Sequence, residues 1–250
     1  MFKVDLNSDL GEGIGFDSDI LKYITSANIA CGYHAGNKTI MSYTVEDAVK
    51  KGVSIGVHPG FDDKENFGRI EINLSKSELK DIVKQQIIKL DTIVKQKGAR
   101  LQHVKPHGAM YNMAARDYEI AETIAQAIYE IDKDLIFVCL ANSYMVDAGR
   151  NIGLKVANEA FADRAYNNDG SLVSRKVKGS VIHDTHKVID RVVKMIKEGK
   201  ITSITNDEIS IQADSICVHG DTLNAVELTK QIRSKLKEEN IVVTSITNIL

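Results

Sequence analysis

Residues 75 to 107 read SKSELKDIVKQQIIKLDTIVKQKGARLQHVKPH, and this stretch contains the unit from which the chain is built. Ser75 and Glu78 have the spacing of a capping box, and Leu79, Ile82, Val83, Ile87, Leu90, Ile93 and Val94 recur at three- and four-residue steps up to Gly98. That pattern predicts an amphipathic helix. Leu101 to Val104 is then a short strand-type run, and Lys105, Pro106 and His107 follow it directly. Working outward, Thr39 to Lys51, Tyr118 to Ile131, Thr185 to Glu198 and Leu223 to Lys237 are also helix-patterned, each preceding a β-branched run suited to a strand buried on both faces. Repeated βα alternation with right-handed crossovers forces a parallel sheet with helices outside, either open and doubly wound or closed into a barrel.

The residues after the strands favour closure. The run ending at Leu6 opens onto Asn7, Asp9 and Glu12, the one through Ile29 onto His34, and Val53 to Val57 onto His58. Leu101 to Val104 delivers Lys105 and His107, and Leu135 to Leu140 delivers Asn142 and Ser143. Leu154 to Val156 leads to Glu159, Asp163 and Arg164, and Ile216 to Val218 to His219 and Asp221. An open sheet gathers functional groups from a few strands at its switch point, whereas a barrel collects them from all its strands at one mouth.

Composition bounds the function. With 250 residues, 43% hydrophobic and 26% charged, the chain suits a single barrel domain over 1–250. A net charge of -2 and the lack of a basic stripe argue against nucleic acid. The first residues do not resemble a signal peptide and no apolar run approaches ~18 residues, so a cytoplasmic protein without a membrane partner is expected. Cys31, Cys139 and Cys217 lack CxxC spacing and read as reduced, buried thiols. Residues 161–182 are polar and read as a loop insertion at the strand-end face. Ile209, Ile211 and Ala213 alternate, which suits a short antiparallel strand, and Ile241 to Ile249 reads as an eighth strand or a docked tail.

Each cluster has a plain reading beside its chemical one. Asp5, Asn7, Asp9 and Glu12 either place carboxylates in one cavity or supply turn chemistry. His34 is a ligand-facing imidazole or a satisfied core histidine, and His58 sits before Pro59 and Gly60, which force an abrupt strand exit. Pro106 holds Lys105 extended, putting Lys105 and His107 on one side as a cation beside a base. Glu159, Asp163 and Arg164 either bind substrate or brace the insertion, and Asp221 either faces the mouth or caps the last helix. There is no GxxxxGK[ST] loop, dinucleotide fingerprint or HExxH pair, so the chain has no recognisable nucleotide-phosphate cradle. Asp9, His34 and His58 can still meet as metal ligands, although no resident metal or tightly bound cofactor is expected.

The strings VDLNSDLGEGIG, ANIACGYHAGN, GVSIGVHPGF, the FGR at Phe67 to Arg69, HVKPHGAMYN, NEAFADRAY with DGSLVSR, and CVHGDTLNAV resemble the LamB/YcsF family from the first strand to the last helix. Two positions depart from its pattern: Asn37 stands where Asp is usual, removing a carboxylate from the mouth, and Leu223 stands where Pro is usual at a helix start. The resemblance implies a seven-stranded parallel β/α barrel of the glycoside hydrolase/deacetylase type. It also implies opening of the 5-oxoproline ring to glutamate, with ATP as co-substrate alongside Mg2+ and with partner subunits B and C of a 5-oxoprolinase.

On that reading Asp9 or Glu12 is the general base, and His107 and His34 move protons to the ring nitrogen. Lys105 offsets charge on the substrate oxygens, and Lys105→Met should fold normally. Arg164 pairs with the substrate carboxylate, while Asn7, His58, Glu159, His219 and Asp221 complete a polar wall. The alternatives are a metal-dependent deacetylase or amidohydrolase of the same fold class, and a non-catalytic metabolite-binding subunit.

Overall fold

The structure is a computed structural model, and it describes residues 1–219 and 224–250. Its elements run β1 (Lys3–Leu10), α1 (Asp17–Ile20), β2 (Ser26–Ala30), α2 (Lys38–Lys51), β3 (Ser54–His58), α3 (Lys76–Gln96), β4 (Leu101–Val104), α4 (Gly108–Arg116), α5 (Tyr118–Ile131), β5 (Ile136–Leu140), α6 (Tyr144–Ile152) and β6 (Lys155–Phe161). Then come α7 (Thr185–Glu198), β7 (Lys200–Thr202), β8 (Glu208–Ser210), β9 (Ser215–Cys217), α8 (Ala225–Glu238) and β10 (Val242–Val243), with a 3-10 turn at Ile246–Asn248. Strands β1 to β6 pair in sequence, β6 pairs with β9, and β9 pairs back onto β1, all in parallel. The result is a closed barrel of seven strands with helices outside. Helix α3 starts at the capping box read from the sequence, with the Ser75 side chain on the Glu78 N–H and the Glu78 side chain returned to the Ser75 N–H.

Alternation along the strands divides two environments. In β1 the odd positions Asp5, Asn7 and Asp9 face the lumen, while Val4, Leu6 and Leu10 join the apolar core. Asn7 and Asp9 therefore lie within β1 rather than beyond it, and Glu159 likewise lies within β6. Polar residues persist inside the strands because the lumen supplies partners: Asp5 accepts from Thr25, Ser26 and Ser215, and Asn28 donates to Asn7 and Asp9. Hydrogen bonds offset the cost of burying these groups.

The three smaller features also have places. The piece between Ile201 and Ala213 contains the antiparallel β7–β8 hairpin, which pairs outside the barrel. Val242 and Val243 pair with Lys3 and Val4 at the foot of β1, so the final run is a docked tail and not an eighth barrel strand. In the insertion, two isolated bridges, Arg164 with Val181 and Tyr166 with Leu172, hold the chain in extended form. No helix among the described residues is long and apolar enough to cross a membrane.

Candidate active site at the barrel mouth

Lys105 lies at the centre of the site's floor. Its ammonium reaches Asp9 at 2.8 Å, Glu159 at 2.9 Å, Cys217 Sγ at 3.2 Å and Asn7 Oδ1 at 3.4 Å, and it lies 5.1 Å from the Phe161 ring centroid. Glu159 also accepts from the Tyr111 hydroxyl at 2.6 Å and from Asn7 Nδ2 at 2.9 Å. Burial disfavours the lysine charge, but Asp9, Cys217 and Glu159 outweigh it and hold the ammonium well above its usual pKa. Burial also opposes ionisation of Asp9, which His58 and Lys105 reverse, keeping that carboxyl well below its usual range.

This arrangement bears on what was expected of Lys105. Lys105 is engaged by the buried Glu159 and the mostly buried Asp9, so its charge is already compensated within the floor. Its replacement by Met would leave those carboxylates uncompensated, and normal folding of Lys105→Met is not what this packing supports. Asp9 also accepts from Asn28 at 2.8 Å.

Above the floor, β2, β3, β4 and the loop after β1 bring together His34, His58, His107 and Glu12. His107 stacks on His34 with centroids 3.8 Å apart and planes at 5°, whereas His58 stands edge-on to His107 at 83°. Glu12 Oε1 lies 3.7 Å from His34 Nε2 and 3.8 Å from His107 Nδ1, and Asp9 Oδ2 lies 3.4 Å from His58 Nε2. His34 is wholly buried, and neither of its ring nitrogens has a hydrogen-bond partner among the described residues. Burial, with His107 and His58 adding to it, pushes His34 well below the usual histidine range; burial and His58 lower His107 to about 3. Both rings are neutral at pH 7.

Two glycines make the stack possible. A Cβ at Gly60 would lie 2.5 Å from His34 Nδ1, and one at Gly68 would lie 2.7 Å from His34 Cβ and 3.0 Å from His107 Cδ2. The neighbouring Phe67 has φ 57°, and its carbonyl, thus turned inward, accepts from His107 Nε2 at 2.8 Å.

Across the mouth the residues after β6 and β9 are engaged differently. His219 Nδ1 pairs with Asp163 at 2.7 Å, its Nε2 meets Arg175 at 2.9 Å, and its ring stacks on Phe161 at 5.4 Å. Burial would raise the Asp163 pKa, but His219 lowers it below the usual range. Arg164 donates to the Val173 carbonyl at 2.6 Å and to the Ser180 carbonyl at 3.3 Å, and burial, reinforced by Arg175, lowers it to about 10. Both bonds tie Arg164 to the insertion. Asp221 lies outside the described residues.

Asp9, Glu12, His34, His58, Lys105, His107 and His219 thus share one end of the barrel, with Asn7 and Glu159 in the layer beneath. Asn37 is exposed and caps α2 through the Thr39 and Ile40 N–H groups, a task Asp performs equally well, so its difference takes no acid from the site. Tyr111, His103, whose Nε2 lies 2.7 Å from Asn28 Oδ1, and the Phe67 carbonyl are the contributors that the strand-end pattern did not pick out. Tyr111 sits within a helix, His103 inside a strand, and a carbonyl has no residue type to read. Glu12, His34, His58 and His107 each offer a ligand atom, all within 4.8 Å of one another, and three imidazoles with a carboxylate are donors that suit a divalent transition metal.

A parallel barrel whose strand ends collect imidazoles and carboxylates has the architecture of a barrel hydrolase. The model of the LamB/YcsF family matches residues 4–250, and the chain belongs to that family. It is 53% identical to the A subunit of the 5-oxoprolinase of Clostridium beijerinckii over 246 residues, 96% of each chain. The lactam utilization protein of Thermus thermophilus superimposes with a TM-score of 0.90 at 39% identity, covering 97% of this chain and 99% of the other. The peptidoglycan deacetylase PdaC of Bacillus subtilis superimposes at 0.52 with 12% identity, covering 99% of this chain and 89% of that one, a likeness of fold alone.

Proposed function

We propose that this chain is the ring-opening component of an ATP-dependent 5-oxoprolinase, converting 5-oxo-L-proline to L-glutamate in the cytoplasm together with partner subunits B and C. The observation that carries the reading is the stacked His34–His107 pair with Glu12 beside it at the mouth, in a chain 53% identical to the A subunit of a 5-oxoprolinase. A five-membered lactam is a poor electrophile, and transfer of the ATP γ-phosphoryl group to its carbonyl oxygen activates the ring carbon. Water then adds to that carbon, the C–N bond breaks as the nitrogen takes a proton, and an acyl phosphate remains. A second water releases phosphate and leaves the glutamate side chain.

The partners supply ATP and Mg2+ handling, consistent with a sequence that carries no phosphate loop. In this barrel His34, whose ring nitrogens have no hydrogen-bond partner among the described residues and which has Glu12 beside it, takes the proton from water and returns it to the ring nitrogen. Asp9 and Lys105 fix the charge of the floor, and His58 and His107, joined through their second nitrogens, form the wall beside His34. Mixing the chain with and without subunits B and C, with 5-oxoproline and ATP, tests the reading. Glutamate and ADP should form together only in the complete mixture, and stoichiometric turnover by the isolated chain would overturn the division of labour.

A further inference from the structure

His58 and His107 form a pair whose protons can be counted. His58 Nδ1 lies 2.7 Å from the Lys105 carbonyl, and His107 Nε2 lies 2.8 Å from the Phe67 carbonyl. A carbonyl only accepts, so each contact takes an N–H from its ring, and an imidazole that carries a single proton has none left for its other nitrogen. The remaining nitrogens, His58 Nε2 and His107 Nδ1, then carry lone pairs, yet they face each other at 2.9 Å. Two lone pairs do not rest at that distance without a positive centre between or beside them. Carboxylates lie on both sides, with Asp9 Oδ2 3.4 Å from His58 Nε2 and Glu12 Oε1 3.8 Å from His107 Nδ1.

The geometry points to a divalent transition-metal site, of the zinc class, with His58 Nε2, His107 Nδ1 and Glu12 as protein ligands and one position open towards the mouth. The ring planes select among the four candidate ligands. Imidazole lone pairs lie in the ring plane, and His58 and His107, at 83°, can aim theirs at a common point. His34 is parallel to His107 and stacked on it, so the two cannot ligate one ion without one ring turning out of the stack. His34 therefore borders the open position and is not a ligand. Tetrahedral coordination places nitrogen ligands roughly 3.3 Å apart, so the His pair needs to open only by a few tenths of an ångström from 2.9 Å.

The supporting contacts are those a metal site requires. Each ligating ring would donate its other N–H to a backbone carbonyl, which fixes tautomer and orientation. Two histidines and a glutamate with a vacant position form a ligand set of the catalytic type, and a bound ion there would polarise a carbonyl or acidify a water. The site is independent of the reaction proposed above, because binding is measured on the isolated chain without substrate, ATP or partners.

The test is titration of the full chain, freed of metal by chelation, with Zn2+ by calorimetry and with Co2+ by its d–d absorption. One equivalent should bind per chain, and His58→Ala and His107→Ala should each weaken binding by more than ~100-fold, beyond what loss of a supporting hydrogen bond costs. His34→Ala should stay within ~10-fold of wild type if it only borders the site. If either ligand variant does not fold, the wild-type imidazole 15N resonances decide, since Zn2+ should shift His58 Nε2 and His107 Nδ1 while their other nitrogens stay protonated. No saturable Zn2+ or Co2+ binding, binding equal in His58→Ala and wild type, or 15N signals showing a proton shared between the two rings in the presence of Zn2+ would overturn the assignment.

Discussion

The two sides of the barrel mouth use the same residue types to opposite ends. After β6 and β9, Asp163, His219 and Arg175 form a chain of contacts, and Arg164 commits two donors to the Val173 and Ser180 carbonyls. After β1 to β4, His34 has no hydrogen-bond partner among the described residues, and His58 Nε2 and His107 Nδ1 meet at 2.9 Å. A satisfied polar cluster holds a shape, whereas converging unsatisfied groups leave capacity for a ligand. Lys105 joins the two sides by pairing with Asp9 of β1 and Glu159 of β6.

Breaking that joint should have the largest effect. Lys105→Met leaves two buried carboxylates facing each other and should cost about 3 to 5 kcal/mol of stability, read from denaturant midpoints. Lys97, paired with Glu46 on the partly exposed outer surface, is the control, and Lys97→Met should cost under about 1 kcal/mol. Equal midpoints for the two variants would show that the floor does not depend on the ammonium.

One layer deeper, burial raises the Asp5 pKa from 3.8 to about 6, against the opposing pull of the Ser215, Ser26 and Thr25 hydroxyls. A raised carboxyl pKa means the folded state binds the proton more tightly, so this contribution is complete below pH 3.8 and is lost as pH rises through about 6. The loss amounts to about 3 kcal/mol. Asp5→Asn should flatten the stability profile between those values, and an unchanged profile would separate the lumen's polar layer from the pH response.

Arg164 sharpens the comparison on the insertion side. Arg164→Ala should cost about 1.5 to 3 kcal/mol and expose residues 161–182 to proteolysis. If instead KM for 5-oxoproline rises while protease resistance is unchanged, Arg164 belongs to substrate binding and the two sides are less distinct than drawn here.

Legibility in the sequence followed locality. Helix α3, its capping box and the βα alternation depend on neighbours within a few residues, so the parallel barrel and the strand-end positions of His34, His58, Lys105 and His107 could be read directly. What Lys105 does could not. Its partners Asp9 and Glu159 are distant in the chain and meet it only because β1, β4 and β6 share one lumen. Arg164 is similar: a free guanidinium and a loop brace look alike until the Val173 and Ser180 carbonyls are placed beside it. The stacking of His34 on His107 depends on Gly60 and Gly68 leaving room, a steric condition set by loops that fold over one another.

The central claim is that chemistry resides on the histidine side of the mouth and bracing on the other. It is tested most directly by glutamate formation from 5-oxoproline and ATP in complexes reconstituted with subunits B and C, comparing His107→Gln with His219→Gln at matched assembly. His107→Gln should lose turnover by ~10²- to 10⁴-fold, the range for removing a group that works on the reacting atoms, while His219→Gln stays within about tenfold of wild type. Near-wild-type turnover by His107→Gln, or a larger loss in His219→Gln, would contradict the account.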